Sequence, residues 1–166
     1  MSMSNLEEIK DVLWMYSTHE QHPSQVDETH AALGDDDLVV DALVWALQEN
    51  DIDLKLLALQ LLQEHFADAK RAMTAVRSLI SGNVDRLVRI TAINTLHLMG
   101  DTSDDLVPLL TPRLASDDAF ERIFSAANLW RICRSEDAYF VLRREASLKR
   151  SQMAEIARGY LEESDQ

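Results

Sequence analysis

The chain has 166 residues, 46% of them hydrophobic and 27% charged, with a formal net charge of −13, one cysteine, four glycines and three prolines. That length fits one domain able to bury about two-thirds of its unfolded surface. The scarcity of Gly and Pro argues against a many-turned β fold, and the lone Cys133 excludes an internal disulfide framework or a cysteine-built zinc site. A single thiol fits a reducing compartment, so a cytoplasmic location is expected. No apolar run approaches the roughly 18 residues of a membrane span, and Met1 to Lys10 lacks the apolar stretch of a secretory signal.

The charge is unevenly placed. Residues 1–68 carry 15 acids against two bases, Lys10 and Lys55, whereas residues 69–166 carry 14 of each. An acidic field of this kind repels phosphate backbones and favours basic partners, though it also serves solubility.

Residues 5–17 predict an amphipathic helix with Leu6, Ile9, Val12, Leu13 and Tyr16 on one face. Residues 18–35 read as a polar, His-rich loop interrupted by a short helix near 26–33. Within and beside it His19, His22 and His30 lie near Glu20, Asp27 and Glu28. Their spacing permits a metal but does not define one, so no metal and no cofactor is expected.

From Asp36 onward the chain repeats. Asp51, Lys55, Ala58 and Leu62 recur as Asp85, Arg89, Ala92 and Leu96, and again as Asp118, Arg122, Ser125 and Leu129, with the starts 34 and 33 residues apart. Each set predicts a helix that is apolar around most of its circumference, as a helix between neighbours must be. The small residue lets another helix approach. Gly82 is expected to end the helix before the second set, with Asn83 capping the next. A first helix precedes each, over about 36–49, 67–81 and 104–115. The helical hairpins are then 36–66, 67–99 and 104–133, followed by a degraded fourth at 136–162 in which Ala157 and Leu161 hold the small and leucine positions. Terminal repeats are expected to be atypical.

The stretch from Leu106 to Arg122, with Pro108 early in its first helix and an Asp turn before its second, resembles HEAT repeats, in particular the short type first named from phycobilisome lyases. The resemblance covers 36–133 and extends weakly to 162; it departs from the pattern in Lys55, where Arg is usual. It implies an all-α fold, a short right-handed α-solenoid of about four hairpins, capped by residues 1–35 and continuous over 36–162. It does not imply one function, since such scaffolds carry many.

The acid–base pairs Asp51/Lys55, Asp85/Arg89 and Asp118/Arg122 are read as contacts between repeats rather than catalytic groups. Cys133 is expected to be buried and inert, His65 and His97 to stand alone near helix ends, and Trp14, Trp45 and Trp130 to mark buried contacts, two of them at corresponding places in hairpins. No phosphate-binding Gly loop or nucleophile motif is present, so no enzyme activity is expected. The expected function is a non-catalytic interaction scaffold or adaptor, of inhibitory or immunity type in its most specific form. It would offer Asp35, Asp36, Asp37, Asp41, Asp51 and Asp53 to a protein with a basic surface. One alternative is a nucleic-acid-binding or enzymatic module using Arg131, Arg134, Arg143, Arg144, Lys149, Arg150 and Arg158. There, interleaved acids such as Glu136, Asp137 and Glu145 weaken the basic stripe. Another is a structural homo-oligomer.

Overall fold

A computed structural model describes residues 5–18, 25–34, 37–67, 69–148 and 151–163, which are helical with short connections and contain no strand. Two compact units divide the chain, Met1–Gly100 and Asp101–Gln166.

The first unit contains α1 (Leu6–Ser17), α2 (Gln25–Leu33), α3 (Asp37–Gln48), α4 (Ile52–Glu64), α5 (Met73–Ser81) and α6 (Arg86–Leu98). Helix α1 starts at Asn5, whose side chain accepts from the Glu7 N–H, and turns Ile9 and Leu13 fully inward against α3 and α4. Helices α3/α4 and α5/α6 form helical hairpins. First helix packs on first (α3 on α5) and second on second (α4 on α6), which is the contact pattern of stacked repeats. Leu54, Leu59, Leu61 and Leu62 of α4 and Ile93 and Leu96 of α6 are essentially inaccessible to solvent. The repeated small residues Ala58 and Ala92 are fully buried where α4 and α6 meet neighbours. Between these two helices Gln63 Nε2 donates to Thr95 Oγ1 at 2.8 Å, a polar tie across the seam.

The second unit contains α7 (Val107–Leu110), α8 (Ala119–Cys133), α9 (Glu136–Ala146) and α10 (Gln152–Glu163). Helix α8 packs against α9 and α10 and carries Ser125 and Leu129 of the repeat into its interior. It ends at Arg134, which adopts a left-handed conformation at φ 52° and donates its backbone N–H to Trp130. Among the described residues, no helix of either unit is long and apolar enough to cross a membrane.

The helices fall where the periodicity puts them, with local corrections. Asp85, not Asn83, caps α6: its side chain accepts from the Leu87 N–H, and Asn83 lies in the bend after α5. The first helix of the second hairpin begins as a 3-10 turn at Lys70–Ala72 before α5. That of the third is broken into a 3-10 turn (Asp104–Leu106), the single turn α7, and a further 3-10 stretch (Thr111–Ala115). Pro112 explains the break, because it has no N–H for the Pro108 carbonyl and its ring crowds that oxygen. Trp14 is 45% exposed rather than buried. Trp45 lies in a first helix and Trp130 in a second, so they do not occupy corresponding places. Cys133 is exposed, since it sits on the outer side of the last turn of α8 beside the Arg134 cap. His65 does not stand alone: its ring stacks on His30 with centroids 3.8 Å apart.

Candidate functional site

Each acid that opens a repeated motif has a local task. Asp51 Oδ1 accepts from the Leu54 N–H at 2.8 Å, Asp85 Oδ1 from Leu87 at 2.7 Å, and Asp118 Oδ1 from Glu121 at 3.0 Å. All three are N-caps, satisfying backbone donors that the helix leaves over. Their basic partners differ. Lys55 is buried in α4, where desolvation pulls its pKa down against the opposing charges of Glu49 and Asp51. Arg89 is half-buried in α6. Arg122 reaches out of its own hairpin, with Nε on Glu145 Oε1 of α9 at 3.0 Å and Nη1 on the Ser116 carbonyl at 2.7 Å.

The acidic surface lies on the first unit. Glu7, Glu8, Asp11, Asp27, Glu28, Asp37, Asp41, Asp53 and Glu64 are all exposed. Neither base of residues 1–68 offsets them broadly. Lys10 is folded back, its Nζ 2.8 Å from Glu7 and 5.1 Å from the Trp45 ring centre, and Lys55 is buried. The described members of the cluster singled out from sequence have different surroundings. Asp35 and Asp36 lie outside the described residues. Asp37 and Asp41, one turn apart on α3, are gripped by Arg71 at 3.0 and 3.1 Å, and Arg71 also bonds the Asp37 carbonyl. Asp51 is committed as a cap, while Asp53 is exposed in the first turn of α4.

Helix α1 carries the face that sequence reasoning missed. Glu7, Glu8, Asp11, Trp14 and Met15 are exposed on the side opposite Ile9 and Leu13, and Met15 is 50% exposed. Three acids thus lead, at helical spacing, into a tryptophan and a methionine. The signal was present: positions 7, 8, 11, 14 and 15 share the period of the buried set but not its face.

The C-terminal arginines are largely engaged within their own unit. Arg131 bonds the Asp101 carbonyl and Asn128 Oδ1, and burial, its largest influence, lowers its pKa. Arg134 lies over the Trp130 ring at 5.1 Å and Arg143 over Tyr139 at 5.8 Å. Arg158 bonds the Ala146 carbonyl at 3.0 Å. Arg144 bonds Glu145 at 2.7 Å, while Lys149 and Arg150 lie outside the described residues. Glu145 is only 2% exposed. Desolvation, the largest influence, pushes its pKa up, but hydrogen bonds and charge from Arg122 and Arg144 together outweigh it and hold the carboxyl below its ordinary range. Tyr160 is pushed up to about 12, chiefly by burial.

Helical hairpins stacked first-on-first and second-on-second define an α-repeat protein. The family model for HEAT repeats matches residues 40–131, more than half of the chain, and the chain belongs to the HEAT-repeat family. The match is to HEAT repeats as such, without a subtype. Members are commonly protein-interaction scaffolds and generally non-catalytic. No curated protein and no solved structure matches the chain.

Proposed function

We propose that this protein is a non-catalytic protein-interaction scaffold whose acidic N-terminal surface takes a basic partner segment. The observation that carries this reading is the outer face of α1, where Glu7, Glu8 and Asp11 run into the exposed Trp14 and Met15. Exposed carboxylates steer a basic chain and set its register, while a large aromatic and a flexible thioether supply apolar area that desolvates on binding. The occupant is therefore a segment that is both basic and apolar, such as an amphipathic helix with a Lys/Arg face. Asp53 and the α3 acids extend the field around it. Asp37, Asp41, Asp51 and Asp53, on α3 and at the start of α4, then form the periphery of the surface, with α1 as its centre. Size and charge suit a small inhibitory or immunity-type protein, or an adaptor within a larger assembly. The single cysteine suits work in the cytoplasm.

The test is site-specific photo-crosslinking in the native cell, with the reactive residue placed at position 15 on α1 or at position 140 on α9, whose Phe140 is also exposed. Crosslinks to a basic protein from position 15, lost when Glu8 and Asp11 become Gln and Asn, are the expected result. Crosslinks to nucleic acid, or partners captured from position 140 alone, would replace this reading.

A further inference from the structure

A second feature of the first unit lies apart from the α1 face and does not depend on it. Asp27 in the first turn of α2, Glu64 at the end of α4 and His65, the C-cap of α4, bring one ligand atom each to within 4.8 Å of one another. His65 Nε2 lies 3.3 Å from Asp27 Oδ1. That nitrogen is shielded from solvent and, among the described residues, forms no hydrogen bond, with the Asp27 carboxylate at ion-pair distance. A polar atom withdrawn from water without a partner is a cost that a bound cation would remove.

The ring is held in place. It stacks on His30 within 5° of parallel, and His30 meets the edge of Phe66 at 5.5 Å. The His65 backbone N–H bonds the Leu61 carbonyl at 3.0 Å. Helix α2, which brings Asp27, is pinned by the buried Thr29 and by a bond from Gln25 Nε2 to the Tyr16 carbonyl of α1. All three ligands therefore stand on helix ends, not on a loop, so little ordering would be needed. The two carboxylates are exposed and can rotate to close the gap to the roughly 3.4 Å spacing that ligands about 2.0–2.1 Å from a tetrahedral ion require.

We propose that Asp27, Glu64 and His65 form a Zn²⁺ site that clamps α2 to the end of α4. One imidazole nitrogen and two carboxylates make a borderline donor set. It suits zinc above calcium, which seeks six or more oxygens, and zinc stands above manganese in intrinsic affinity. Three protein ligands leave the fourth position to water or to a group from a partner. The acidic field of residues 1–68 favours any cation there.

The test uses the full chain in a Cys133→Ser background, so that the exposed thiol cannot bind the probe. Zn²⁺ alone is titrated against a chromophoric chelator, and thermal unfolding is followed with and without the ion. One equivalent is expected to bind and to raise the unfolding temperature. Asp27→Asn and Glu64→Gln, both at exposed positions that should tolerate the change, should each weaken binding by at least about tenfold and abolish the thermal shift, as should His65→Ala. Asp53→Asn should bind as the parent does. No uptake at hundreds of micromolar Zn²⁺, or undiminished binding by either carboxylate variant, would overturn the site.

Discussion

In Met1–Gly100 the described interior is mostly hydrocarbon, with Lys55 buried in it and the acids outside, whereas in Asp101–Gln166 carboxylates such as Glu121 and Glu145 have moved in. Helix α4 buries Leu54, Leu57, Leu59, Leu61 and Leu62, with the Gln63–Thr95 hydrogen bond among its polar contacts to α6. Helix α8, built on the same repeat, buries Glu121, Ser125 and Asn128 beside Ile123, Ala126 and Leu129. Around it Ser116 donates to Glu121 at 2.5 Å, Arg113 stands 3.6 Å from Glu121, and Arg122 and Arg144 converge on Glu145. One repeat template thus supports two uses of charge. In the second unit Arg113, Arg122 and Arg144 turn toward buried carboxylates, while Arg134, Arg143 and Arg158 stay at the surface among acids such as Glu136 and Asp137. Where leucines fill the seam, as in the first, the acids stand at the surface and can meet a partner.

The sharpest break of this comparison comes from removing the buried carboxylate. Glu145→Ala leaves Arg122, itself mostly buried, without its counter-charge, and should cost about 3–5 kcal/mol in urea unfolding. Leu61→Ala in the first unit should cost a similar amount, about 2–5 kcal/mol, by leaving a cavity. The two separate in their pH dependence. The pKa of Glu145 is lower folded than unfolded, so its contribution is complete above the ordinary value of 4.5 and fades as pH falls through the depressed folded value. Glu145→Ala should therefore flatten the acid limb of the stability profile, whereas Leu61→Ala should lower the curve and keep its shape.

Smaller effects sharpen the same contrast. Gln63→Ala removes the bond to Thr95, which still donates to the Thr91 carbonyl at 2.8 Å, so the loss should be about 1 kcal/mol and independent of pH. Gly159→Ala in α10 has space for a Cβ, with nothing within 4 Å, and should raise stability by about 0.5–1 kcal/mol in the same measurement. Arg71→Ala should leave unfolding unchanged, because its pairs with Asp37 and Asp41 are exposed, yet it should tighten binding of a basic peptide by releasing both acids.

Much of this architecture was legible in the sequence, for physical reasons. Asp51, Asp85 and Asp118 recur because every second helix needs a cap, and Ala58, Ala92 and Ser125 recur because each of these helices needs a small residue where a neighbour comes close. Periodicity reports demands that each repeat makes alike. It does not report contacts made once. Arg122 meets Glu145 across 23 residues, Arg71 meets Asp37 across 34, and Asp27 finds Glu64 and His65 only after α2 folds back on α4. The exposure of Cys133 was equally hidden, since apolar residue type alone does not say which side of a helix end faces water. Helix α1 lay between these cases: its buried face was plain, but the same pattern also defined the outer face, where the acids and Trp14 fall.

The most direct measurement selects displayed peptides of about six helical turns on the intact protein at low salt, then measures their binding by fluorescence anisotropy as salt is raised. The account predicts Lys/Arg-rich sequences with apolar residues at helical spacing, weakened by salt and by Glu8→Gln/Asp11→Asn, and nearly lost with Trp14→Ala. Selected peptides that are acidic or uncharged, or basic ones that bind these variants as well as the parent, would contradict it.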